Sequence, residues 1–138
     1  MDPLYTLAAH YRAAQLCAHT YHHLAKGPTF FQDHEEFGEV YGAYETAFDD
    51  LCEEALALKQ PYDASAMLSL AVKLTEPGMK DYTNLACYNR LLKFELEFQR
   101  QIKEMMKDKN LADGTQNLIQ GLATESNKRK YKFQQRTS

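Results

Sequence analysis

Residues 37–58 read Phe37-Gly-Glu-Val-Tyr41-Gly-Ala-Tyr44-Glu-Thr-Ala-Phe48-Asp-Asp-Leu51-Cys-Glu-Glu-Ala55-Leu-Ala-Leu58. Phe37, Tyr41, Tyr44, Phe48, Leu51, Ala55 and Leu58 fall at alternating steps of four and three, which puts them on one face of an α-helix. No proline interrupts the run before Pro61. With Thr29/Gln32 or Asp33/Glu36 as a capping box, the pattern predicts a helix over residues 32–59, about 40 Å long at 1.5 Å per residue. Helices of that length belong to bundles.

The breakers on either side are few and clustered, at Gly27-Pro28, Pro61, Pro77-Gly78 and Asp113-Gly114. Before them, Asp2 as cap, Pro3 at the first helical position and the series Leu4, Leu7, Tyr11, Ala14, Ala18, Tyr21 predict a helix over 3–26. After them, Met67, Leu68, Ala71 and Val72 predict a short helix over 63–74, and Leu91, Phe94, Phe98, Ile102, Met105 a long one over 80–109. Leu118, Ile119 and Leu122 begin the last, over 114–134, which turns basic at Lys128, Arg129, Lys130, Lys132 and Arg136. Cations there suit a helix C-terminus; a nucleic-acid contact is the other reading. Strand alternation and internal repeats are absent. The expected fold is therefore all-α: one domain over 1–138, a ferritin-like four-helix bundle with a short extra helix in the crossover between the second and third long helices.

A chain of 138 residues buries enough surface to fold without disulfides or structural metal. Cys17, Cys52 and Cys87 are odd in number and irregularly spaced, neither a disulfide framework nor a zinc motif, so a reducing, cytoplasmic setting is expected. No apolar stretch reaches membrane-spanning length, and Met1-Asp-Pro-Leu-Tyr5 has no signal-peptide character. A net charge of −3 argues against a dedicated nucleic-acid binder.

Imidazoles and carboxylates are the candidate chemistry. His19, His22 and His23 sit in the last turns of the first helix, His34 opens the second, and Asp49 and Glu53 lie one turn apart further along it. Singly, such residues are ordinary surface groups. Their joint spacing is more specific: His22 through Gly27 and Phe30-Phe31 to His34, twelve residues on, and then Asp49-Asp-Leu-Cys-Glu53. This resembles the signature of the Dps-type mini-ferritins, and the resemblance extends to Asp113-Gly114-Thr115 and to the plan of four long helices and one short.

The resemblance implies a homo-oligomeric shell of twelve subunits around an iron mineral, with ferroxidase sites at two-fold dimer interfaces. His22 and His34 would bind ferrous iron from one subunit and Asp49 and Glu53 from its partner, with hydrogen peroxide or oxygen as oxidant. Imidazole and carboxylate suit iron, and carboxylates stabilise the ferric product. Asp108 and Asp113 match the family's pore aspartates. The sequence departs from the pattern at Gly38, where an acidic ligand is usual, and at His23, where Trp is common. If His34 faces Asp49 across the two-fold, the axis passes between Tyr41 and Gly42 and Gly38 faces the partner's Glu45. Glu45 is then the expected replacement ligand, with Gly38 making room for it. His10 and His19 are expected to be structural or exposed. DNA binding is expected to be weak or absent, since the first helix begins at Pro3 without a lysine-rich arm. The alternatives are an assembly with a degenerate ferroxidase site and a zinc-binding module; zinc is also the expected competitor for iron.

Overall fold

Asp2 opens the first helix, its Oδ1 accepting the Leu4 N–H at 2.9 Å just ahead of Pro3. The structure, a computed structural model, describes residues 1–138 as five helices: α1 (Pro3–Leu24), α2 (Phe30–Ala57), α3 (Ala64–Leu74), α4 (Asn84–Met105) and α5 (Asp113–Thr137). The four long helices make an all-α ferritin-like bundle, and α3 lies in the crossover between α2 and α4. α1 packs along α2 and also touches α4 and α3, while α5 packs chiefly on α4. No helix is long and apolar enough to cross a membrane.

The stripes read from the sequence meet in one core. Tyr11 of α1 lies flat on Phe98 of α4, ring centroids 3.8 Å apart, among buried Tyr21, Phe37, Tyr44, Tyr88 and Phe133. A buried phenol usually finds a hydrogen-bond partner, although the Tyr11 hydroxyl has none. Tyr5 donates to the Gln60 carbonyl at 2.9 Å, Tyr88 to Asp33 at 2.8 Å, and Tyr44 to Glu95.

Asp33 and Glu95 are buried carboxylates, each held by an arginine of α5. Asp33 accepts from Arg136 (2.8 Å), Tyr88, Asn84 and Thr29; Glu95 accepts from Arg129 Nε at 2.8 Å. Burial would raise the Asp33 carboxyl, but the hydrogen bonds from Arg136, Thr29, Tyr88 and Asn84 hold it down to about 2. Burial would likewise lower the Arg129 guanidinium, yet Glu95 keeps it above its ordinary range. These pairs correct the reading of the basic end of α5: Arg129 and Arg136 serve the interior.

Several boundaries also differ. Neither capping box forms: Thr29 occupies the cap position of α2 without bonding the backbone, and its hydroxyl donates instead to Asp33 at 2.7 Å. α1 stops at Leu24 because Ala25 is extended ahead of Gly27, whose φ of +87° favours glycine. α4 starts at Asn84, where the Thr83 hydroxyl accepts the Ala86 N–H, and ends at Met105. α5 runs on to Thr137, past the expected end at 134, so that Arg136 reaches Asp33.

Candidate metal centre

The turn through Ala25–Thr29 folds α2 back along α1 and lays His34 beside His22. Their rings stack, centroids 3.7 Å apart and planes 18° from parallel, and Phe30 stacks on His34 at 4.9 Å. His22 Nδ1 is 2.6 Å from the His34 carbonyl oxygen, and His34 Nδ1 is 2.7 Å from the His22 carbonyl oxygen. A carbonyl only accepts, so both Nδ1 atoms carry the proton. In the neutral ring Nε2 then holds a bare lone pair, the tautomer a metal ligand needs. The His22 carbonyl lies in the last turn of α1, where helices leave acceptors unpaired; the Lys26 N–H that would have reached back to it bonds Asn84 instead.

Gly38 belongs to this arrangement. A Cβ there would stand 3.1 Å from His22 Nδ1 and 3.2 Å from Cε1. The space opened by the missing side chain is bordered by the His22 ring.

The carboxylates are elsewhere on α2. Asp49 is fifteen residues beyond His34, roughly 22 Å along the helix axis, and Glu53 is further still. Within one chain no three His, Cys, Asp or Glu side chains converge on a point. Glu45, Asp49 and Glu53 are exposed at successive i, i+4 positions, a carboxylate row on one face of α2. Gly42, between them and the histidines, has nothing within 4 Å of a would-be Cβ.

No family profile matches the chain. It is 29% identical over 123 residues to DNA protection during starvation protein 2 of Bacillus anthracis, covering 80% of this chain and 77% of that one. Dps from Staphylococcus aureus superposes with a TM-score of 0.88 at 22% identity, over 99% of this chain and 93% of that one. The chain has the fold of a Dps-type mini-ferritin. Dps from Vibrio cholerae O1, described as a member of a broad superfamily of ferritin-like diiron-carboxylate proteins, superposes with a TM-score of 0.87 at 20% identity, over 99% and 87% of the chains.

In this Dps fold the two aspartates matched to pores flank the α4–α5 turn. Asp108 Oδ1 accepts the Asn110 N–H at 2.9 Å and shapes that turn. Asp113 is the first residue of α5, exposed, with Ala112 rather than Asp113 in the cap position. His10 is tied by Nδ1 to the Thr6 carbonyl at 2.9 Å, whereas His19 and His23 are exposed beside the stacked pair. The sequence reading missed the place of Phe30 against His34 and of Gly38 against His22. Their signal was spacing, since both lie four residues from His34 on α2.

Proposed function

We propose that this chain is a cytoplasmic mini-ferritin that oxidises ferrous iron at sites completed between two copies and retains the ferric product as oxide inside a hollow shell of twelve subunits. The observation that carries the reading is the reciprocal lock of His22 and His34, which engages Nδ1 of both rings and leaves Nε2 free of the backbone. Two nitrogen donors alone do not make an iron site, and the carboxylates that would complete it lie too far along α2 to come from the same chain. A second α2 packed antiparallel about a two-fold supplies them, since an isologous contact brings i to j and j to i. The partner's Asp49 and Glu53 would then bind iron as it turns ferric, with Glu45 one turn earlier in the same row. Gly42 leaves the surface open near the axis. The free, buried cysteines accord with a reducing compartment.

Iron is the substrate. Each ferrous ion gives one electron to peroxide or oxygen, and hydrolysis of the ferric product releases protons. The chain's own part is to place nitrogen on one side and carboxylate on the other, neutralising the charge that rises on oxidation. Asp108 and Asp113 would draw cations toward the shell if they line an entry.

The test adds ferrous iron without oxygen to the purified protein, admits peroxide, and sizes the product with an iron stain. Fast oxidation, with iron eluting in a particle of about twelve chains, supports the reading; oxidation no faster than without protein contradicts it. With Arg129 and Arg136 engaged internally, DNA should not shift in a gel at ordinary salt.

A further inference from the structure

Two imidazoles beside the stacked pair have no part in it. His19 and His23 lie one turn apart on α1, both exposed, with ring centroids 4.5 Å apart and planes tilted by 50°. Ring nitrogens of His10, His22 and His34 bond to backbone carbonyls; those of His19 and His23 are free of such bonds. Tyr41 of α2 lies against His19, centroids 4.4 Å apart, and supports that ring from a second helix.

Histidines at i and i+4 project from one helical face, and this spacing is a chelating one for a divalent ion. His22 is not a third member. Its centroid is 6.4 Å from that of His19 and 5.5 Å from that of His23, its Nδ1 is committed to the His34 carbonyl, and adjacent helical residues point about 100° apart. No third His, Cys, Asp or Glu side chain joins the pair within the chain, so water must fill the remaining positions of any ion held there.

We propose that His19 and His23 form a second cation site, distinct from the His22/His34 pair, that takes a borderline divalent ion with water completing its coordination. Imidazole suits copper and zinc, and copper(II) binds most strongly in the divalent series. Copper(II) is therefore the probe.

The full-length protein is titrated with copper(II) in a non-coordinating buffer. Bound metal per chain is counted after dialysis, and nitrogen coupling is read by electron paramagnetic resonance. H19Q/H23Q should bind about one copper fewer per chain than the wild type, and H22Q/H34Q should keep that equivalent and its nitrogen signal. H23Q alone should weaken it at least tenfold. Because His19 and His23 are exposed, unchanged circular dichroism is expected for H19Q/H23Q and for H23Q. Wild-type stoichiometry in H19Q/H23Q, or loss of the same equivalent in H22Q/H34Q, would overturn the proposal, the latter by placing the copper on the stacked pair.

Discussion

His22 and His34 each donate the Nδ1 proton to the other's backbone carbonyl, at 2.6 and 2.7 Å. The exchange ties the last turn of α1 to the first turns of α2 and fixes two ring orientations at once. Each residue's backbone carbonyl thus orients the other's ring, the role that a carboxylate or backbone carbonyl plays for metal-binding histidines.

Gly38→Ala tests that lock directly. Alanine gains about 1 kcal/mol of helix propensity over glycine, but its Cβ would meet His22 Nδ1 at 3.1 Å and displace the ring, losing a hydrogen bond of about 1 kcal/mol. The two effects nearly cancel. The melting temperature should stay within a few degrees of wild type while the rate of ferrous oxidation falls at least tenfold; an unchanged rate would show that the ring position is immaterial.

Acid should weaken the fold through Asp33. A carboxyl lowered from 3.8 to about 2 contributes stability that is fully present above about pH 4 and is lost as the pH falls toward 2. By linkage the share is about 2 kcal/mol. Denaturant titrations at pH 7 and pH 2.5 should show this loss in the wild type and a smaller one in Asp33→Asn.

Arg129→Met should cost about 3–5 kcal/mol by leaving Glu95 charged and buried without its cation. Adding Glu95→Gln should recover much of that, because the remaining pair is neutral. Strict additivity of the two substitutions in a double-mutant cycle would mean that the pair is not coupled.

Glu45→Gln should slow ferrous oxidation severalfold without altering stability by more than about 0.5 kcal/mol, as expected for an exposed residue. Stopped-flow absorbance of the ferric product measures the first and thermal melting the second. An unaltered rate would remove Glu45 from the site.

The long helices were legible because their buried stripes repeat over many turns, as from Phe37 to Ala55. Their ends were less so. Thr29 looked like a cap, but its hydroxyl is drawn to Asp33, whose other partners Tyr88 and Arg136 are distant in sequence. The same distance hid Arg129, which reads as a cation at a helix end until α5 lies on α4 and meets Glu95. The spacing of His22 and His34 brought the histidines together on the page, but which nitrogen faces the backbone depends on the turn at Gly27 and on the vacant Cβ position at Gly38. Neither is a property of spacing.

On the proposed reading, one chain brings nitrogen to each site and its partner brings carboxylate. The most direct measurement co-assembles two variants, H22A/H34A and D49N/E53Q, each expected to be inactive alone. In a mixed dimer one of the two sites draws intact histidines from one chain and intact carboxylates from the other. Random mixing should restore ferrous oxidation to about a quarter of the wild-type rate. No recovery in mixed particles of normal size would contradict the account.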